Sequence, residues 1–198
     1  MKIASFNING VKARAEVLAR WLDESAPDAA VLQEIKSTDD SFPRELIESR
    51  GYHLETHGQK GFNGVAVLSK RPILSVARGL PGDPDDTQAR WIEARIEGGL
   101  VLCGLYLPNG NPAPGPKFDY KLGWMARLQA RAAELLAEER PLVLAGDWNV
   151  IPQPLDAARP EAWREDALFR PESRAAFRRI EALGLADAIR LRHPGTPG

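Results

Sequence analysis

Leu142-Val143-Leu144-Ala145-Gly146-Asp147-Trp148-Asn149 reads as a short buried strand that stops at a glycine and then presents two polar groups. On an extended backbone the i, i+2 spacing turns Asp147 and Asn149 to the same side. A carboxylate and a carboxamide delivered together suit a hard metal ion or a phosphate. The plainer alternative is a strand end whose Asp and Asn cap the following turn.

Outward from this strand, the preceding segment carries Leu122, Met125, Leu128, Ala132 and Leu135 at spacings of three and four, a long amphipathic helix ended by Pro141. Before it, residues 90–97 alternate, with Ile92, Ala94 and Ile96 against Glu93, Arg95 and Glu97. Gly98-Gly99 turns this segment into an apolar run at 100–107, a hairpin. Residues 52–57 and 64–69 read as two more strands joined by a glycine-rich loop. Lys2 to Ile8 alternates as a strand ending at Asn9-Gly10, and Val17, Leu18, Trp21 and Leu22 mark a helix over 11–24 that Pro27-Asp28 breaks. Ala29-Ala30-Val31-Leu32 is a second buried strand. Ser41 is expected to cap a short helix, and Ser173 a later one bearing Phe177, Ile180 and Leu183. Residues 150–160 read as loop, Ala186 to Leu191 as the start of a further element, and His193 onward as loop. Hairpins among alternating strands and helices exclude a simple doubly wound sheet. They predict an α/β (α+β) chain of mixed sheets packed face to face with helices outside.

The 198 residues suffice for one domain with a sizeable core. With 26 basic against 27 acidic residues, bulk charge announces no nucleic-acid partner, so any polyanion site must come from local clustering. The single cysteine, Cys103, lies in an apolar run and reads as a buried thiol, in keeping with a reducing compartment. The chain opens directly on a strand pattern, and no apolar run approaches membrane-span length. A cytoplasmic protein is expected.

Four strand ends carry polar groups: Asn7, Glu34, Tyr106, and Asp147 with Asn149. In layered α/β architectures such ends, gathered at one edge, bind ligands. The segments Ser5-Phe6-Asn7-Ile8-Asn9-Gly10, Leu32-Gln33-Glu34-Ile35-Lys36, His57-Gly58-Gln59-Lys60-Gly61, Tyr106-Leu107-Pro108-Asn109-Gly110 and Gly146-Asp147-Trp148-Asn149 resemble, in order, the motifs of the exonuclease III family. That family is the bacterial AP-endonuclease branch of the endonuclease/exonuclease/phosphatase superfamily. The resemblance runs from Lys2 to about Arg190. It implies a deoxyribonuclease I-like four-layer sandwich, two mixed sheets flanked by helices, in a single domain over 1–198. It also implies a Mg²⁺-dependent DNA phosphodiester hydrolase, acting as 3′→5′ exonuclease and abasic-site endonuclease in base excision repair, with Mn²⁺ as a substitute ion. The implied partner is double-stranded DNA with abasic or 3′-blocked ends, bound by a monomer.

The resemblance also assigns roles. Glu34 is the main metal carboxylate, with Asn7 beside it directly or through water, and Asp147 and Asn149 complete the metal and catalytic wall. Asp147 orients or deprotonates the attacking water, Asn149 positions Asp147 or the phosphate, and Tyr106 bonds the phosphate or assists the leaving group. The bland reading of Tyr106 is a packed aromatic with its hydroxyl in water. Lys36, Lys60, Asn63, Arg90 and Lys121 lie in or beside the motifs and are candidates for backbone phosphates, against the alternative of solvated surface side chains. His57 reads as structural. The family's Arg-Ile-Asp strand and Ser-Asp-His motif are not found in these 198 residues, so the sandwich is expected to be incomplete at the C-terminus. Open sheet edges and exposed apolar faces follow, with marginal stability and near inactivity on abasic DNA for this chain alone.

Overall fold

In the computed structural model, which describes residues 1–196, eight strands form two mixed four-stranded sheets. Their ranges are β1 Ile3–Asn7, β2 Ala29–Gln33, β3 His53–His57, β4 Val65–Ser69, β5 Ile73–Arg78, β6 Trp91–Ile96, β7 Val101–Tyr106 and β8 Leu142–Asp147. One sheet has the order β1-β2-β4-β3 and the other β5-β6-β7-β8. Each holds a single parallel pair, β1 with β2 and β7 with β8, and every other pairing is antiparallel. The chain divides into two compact units, Met1–Tyr106 with Glu138–Trp148, and Leu107–Ala137 with Asn149–Gly198. All eight strands belong to the first.

The first unit's layers follow from alternation along its strands. Ala29, Val31, Val65 and Val67 turn inward and meet Ile92, Ala94, Ile96, Leu100 and Leu102 of the second sheet. Ala30, Leu32, Ala66 and Leu68 turn the other way, onto Leu18 and Leu22 of helix α1 (Ala15–Ser25) and Ile47 of α2 (Arg44–Glu48). β2 and β4 are therefore covered on both faces, which is why they read as unbroken apolar runs. Each fully buried aliphatic side chain contributes about 1.5–3 kcal/mol by leaving water.

Several expectations are corrected. β8 is half-buried at all six positions rather than buried, because it is an edge strand. β5 has no apolar alternation to announce it and is held by pairing to β6. Ser41 ends a 3₁₀ turn, and the residue preceding α2 is Pro43, so it caps nothing there. Val17 is 43% exposed, and the buried stripe of α1 is Leu18, Ala19 and Leu22.

In the second unit, α3 (Pro116–Leu136) packs against α4 (Pro171–Glu181). Two 3₁₀ turns, Pro154–Asp156 and Pro160–Trp163, occupy the stretch read as loop. α5 (Ala188–Arg192) is capped by Asp187, whose carboxylate accepts from the Ile189 and Arg190 amides. The buried face of α3 includes Phe118, Lys121 and Trp124, with Leu122 only half-buried. Ser173 lies inside α4, where its hydroxyl donates to the Ala167 carbonyl at 2.6 Å instead of capping the helix.

Candidate active site

The two parallel pairs stack on one another within the first unit, β1 against β8 and β2 against β7. A parallel pair ends both its strands at one side, so two stacked pairs bring four C-terminal ends together. Asn7 closes β1, Glu34 follows β2, Tyr106 closes β7 and Asp147 closes β8. The Asn7 amide nitrogen donates to Glu34 Oε1 at 2.9 Å and to Asp147 Oδ2 at 3.0 Å, joining residues 140 positions apart. Lys36 Nζ lies 2.9 Å from Glu34 Oε2 and donates to Asn9 Oδ1 at 2.5 Å. The Tyr106 phenol lies close enough to Glu34 to act on its carboxyl. Burial acts to raise the Glu34 pKa, but the Asn7, Lys36 and Tyr106 bonds and the Lys36 charge outweigh it and hold the carboxyl below its ordinary value. Burial, then the charge of Glu34 and the bond to it, push the Tyr106 phenol up to about 12, so it is a neutral donor at physiological pH.

Backbone strain marks the same place. Glu34 and Lys36 are non-glycine residues at φ 51° and 50°, a region that L side chains adopt at a cost of about 1–3 kcal/mol each. Main-chain bonds fix the turn: Gly10 N to Glu34 O, Val11 N to Ile35 O, Ile35 N to Gly64 O and Lys36 N to Asn63 O. Gly146 (φ 152°) lets β8 approach β7, since a Cβ there would lie 1.9 Å from the Leu105 carbonyl oxygen. Asp147 depends on that approach.

The remaining site candidates separate. Arg90 lies with its guanidinium 4.9 Å from the Tyr106 ring centre, and Lys60 is exposed in the loop before β4. Asn63 is corrected: only 4% exposed, it donates to Gln59 Oε1 and Gln88 Oε1 and shapes the loop from inside rather than facing solvent. Lys121 is corrected too. Its side chain is fully buried, and its ammonium donates to the Asn109 and Asn149 carbonyls within the second unit, away from any phosphate in solvent. Asn149 also belongs to the second unit. It adopts φ 45° and donates Nδ2 to the Leu107 carbonyl at 2.8 Å. The extended backbone assumed for the i, i+2 spacing therefore stops at Asp147. His57 Nδ1 sits 3.0 Å from the Trp91 carbonyl, in keeping with a structural role. Sequence reasoning missed Asn9, the second acceptor of Lys36, and Gln88, which meets Asn63 and Arg90. An Asn before a turn glycine and a lone loop Gln carry no distinguishing pattern.

As a cation site, this set offers hard oxygens only. Among the described residues no three His, Cys, Asp or Glu side chains form a metal cluster. The donors are two carboxylates 2.9 and 3.0 Å from one amide, which suits an ion that keeps several waters, as Mg²⁺ does. Facing two carboxylates, the Asn7 end turned to them must be its NH₂, and its Oδ1 accepts from Asn9 N at 3.2 Å. Direct ligation by Asn7 would require its amide to turn over; contact through water would not. Among the described residues no helix is long and apolar enough to cross a membrane.

Comparison with known proteins agrees with this geometry. Residues 4–197 match the family described as the Endonuclease/Exonuclease/phosphatase family. Exodeoxyribonuclease III of Haemophilus influenzae is 38% identical over 204 residues, spanning 98% of this chain and 76% of that protein. An AP endonuclease from Archaeoglobus fulgidus superposes with a TM-score of 0.95 at 34% identity, over 100% of this chain and 76% of its own. A 3′–5′ exonuclease from Neisseria meningitidis does so with a TM-score of 0.95 at 36% identity, over 99% and 76%. The expected sandwich of two mixed sheets and helices is the fold of these structures. With strand-end motifs, topology and relatives in accord, the chain belongs to the endonuclease/exonuclease/phosphatase family, in its exonuclease III branch.

Proposed function

We propose that this chain is a Mg²⁺-dependent DNA phosphodiester hydrolase of exonuclease III type, working in DNA base excision repair as a cytoplasmic monomer, with Mn²⁺ able to replace Mg²⁺. The observation that carries the reading is the Asn7 amide bridging the Glu34 and Asp147 carboxylates where the two parallel pairs end. The similarity to exodeoxyribonuclease III and to an AP endonuclease supports DNA, with abasic or 3′-blocked ends, as substrate.

Glu34 is the proposed metal carboxylate, with Asp147 beside it and Asn7 reached through water. A divalent cation held there would offset charge on the phosphoryl oxygens and the departing 3′ oxygen. The residues themselves do the rest. Asp147 accepts a proton from the attacking water, whose oxygen bonds to phosphorus as the P–O3′ bond breaks and the departing 3′ oxygen takes a proton from solvent. Asn7 fixes the separation of the two carboxylates, so that Asp147 stays aimed while Glu34 stays ionised. Tyr106, a neutral donor, is available to a phosphoryl oxygen or to the leaving oxygen. Lys36 and Lys60 supply the proposed phosphate contacts, which set register on the duplex without reading sequence. One phosphate-cleaving centre of this kind serves terminal 3′ excision and internal abasic incision alike.

The test is end-labelled duplex DNA carrying one abasic site, incubated with enzyme in excess so that a single slow turnover is visible. Mg²⁺-dependent incision, lost with chelator and in Glu34→Gln and Asp147→Asn, is expected. Metal-dependent hydrolysis of inositol phosphates with intact DNA would overturn the substrate assignment.

A further inference from the structure

We propose that Arg90 is a positioning residue for Tyr106: its guanidinium, held at its edge by Gln88, clamps the phenol ring so that the hydroxyl stays on the Glu34 side of the site. Three contacts between the two residues carry this. The guanidinium carbon lies 4.9 Å from the Tyr106 ring centre, Arg90 Nη1 donates to the Tyr106 carbonyl at 3.2 Å, and Tyr106 N donates to the Arg90 carbonyl at 2.8 Å. The orientation of Arg90 is itself set, because its Nε donates to Gln88 Oε1 at 2.8 Å. Gln88 Oε1 also accepts from the buried Asn63 side chain, at 3.2 Å. Asn63 in turn is tied to Gln59, whose Oε1 accepts from Ala89 N at 3.0 Å. A polar chain thus runs from the Gln59–Asn63 loop through Gln88 and Arg90 to Tyr106.

The geometry distinguishes this from a plain phosphate contact. A lysine-like point charge reaching for DNA needs neither a planar face nor a fixed edge. Arg90 sets its guanidinium over the ring while Nε bonds Gln88 and Nη1 bonds the Tyr106 carbonyl. A phenol with two free torsions needs such a clamp, since rotation about its Cα–Cβ bond would carry the hydroxyl away from Glu34.

The proposal makes no use of the nuclease reading for its structural part, and rests on it for its kinetic part. In protein labelled at tyrosine, the three tyrosines (Tyr52, Tyr106 and Tyr120) give separate ring signals in NMR, and Tyr106→Phe identifies the one wanted. Arg90→Gln is expected to shift the Tyr106 ring signals and leave those of Tyr52 and Tyr120 in place, which also reports that the variant folds. Arg90→Lys keeps the charge without the planar stack and is expected to restore the shift only in part. In single-turnover cleavage, Arg90→Gln is expected to slow the bound step about 3- to 30-fold, the range of a partly desolvated cation–π contact, with substrate affinity within about twofold. Added to Tyr106→Phe, it should cost nothing further. Unmoved Tyr106 signals in a folded Arg90→Gln protein overturn the proposal. So does a loss confined to affinity that persists in the Tyr106→Phe background, which would make Arg90 a phosphate contact. If the unaltered protein cleaves no DNA, the nuclease reading fails while the ring signals still decide the clamp.

Discussion

Replacing Gly146 by alanine is the sharpest test of how Asp147 reaches its place. Gly146 pairs with Leu105 across the parallel β7–β8 ladder, one step before Tyr106 meets Asp147. A Cβ built there lies 1.9 Å from the Leu105 carbonyl oxygen, 2.8 Å from its carbon and 2.9 Å from its nitrogen. All three are backbone atoms, so no side chain can swing aside, and ordinary contact requires β8 to retreat by about 1.5 Å. The φ of 152° adds about 1–3 kcal/mol for any L residue. Loosening the two adjoining ladder steps costs about 0.5–1.5 kcal/mol each. The expected loss is about 2–6 kcal/mol, which for a chain of this size lowers Tm by roughly 4–24 °C. A shift of that size in Asp147 is expected to slow cleavage about 100-fold. Calorimetry and single-turnover cleavage read the two effects, and Gly123→Ala is the control, because nothing lies within 4 Å of a Cβ at that α3 position. The control should be neutral or stabilising by up to about 1 kcal/mol. A Gly146→Ala protein that melts within about 2 °C of the parent and cleaves at its rate would refute the close-approach argument.

Other outcomes follow from named contacts. Lys121→Met strands the Asn109 and Asn149 carbonyls and should destabilise by about 1–3 kcal/mol, while the salt dependence of DNA binding stays unchanged; a reduced salt slope would return Lys121 to the DNA surface. Asn63→Ala should cost about 1–3 kcal/mol in urea unfolding, because it removes a buried donor shared by Gln59 and Gln88. Asp28 is held below its ordinary pKa of 3.8 chiefly by the Lys2 amide, then by the N-terminal amine, Lys70 and Arg71. A depressed carboxyl contributes stability above its ordinary pKa that is lost as pH falls through the folded value. The stability gap between the parent and Asp28→Asn should therefore be open at pH 7 and close on acidification below about pH 4; a gap independent of pH would contradict it. Glu34→Gln should abolish Mn²⁺ binding measured by paramagnetic resonance, and retained binding would move the cation elsewhere.

What could be read from the chain depended on whether a residue's role was local. β2 and β4 were legible because burial on both faces writes itself as consecutive apolar residues. β5 was not, since Ile73-Leu74-Ser75-Val76-Ala77-Arg78 shows no period and is a strand only through its bonds to β6. The strand-end positions of Asn7, Glu34, Tyr106 and Asp147 were legible, but their convergence depends on which strands run parallel. Lys121 misled for the opposite reason. On a helix surface a lysine is usually solvated, and only the placement of Asn109 and Asn149 carbonyls around it makes a buried ammonium acceptable. The strained φ of Glu34 has no sequence signature at all, because it comes from main-chain partners in two other segments.

That strain and the two carboxylates belong to one physical problem. Two like charges brought within hydrogen-bond reach of a single amide repel one another, and a flexible strand end would relieve the repulsion by swinging one away. Here Glu34 cannot swing freely: its backbone is pinned from Gly10 and Gly64 on either side, and its oxygens are held by Asn7 and Lys36. Asp147 cannot retreat along β8 without breaking the ladder to β7. Asn7 gives one N–H to each carboxylate, which offsets part of the repulsion without adding charge. Lys36 brings a full positive charge within bonding distance of Glu34. The result is an anionic pair organised in advance, so a cation bound there as proposed would leave little to reorganise. If that account holds, Asn7→Leu, which keeps the size and removes both donors, should weaken Mn²⁺ binding, because the carboxylates then spread apart.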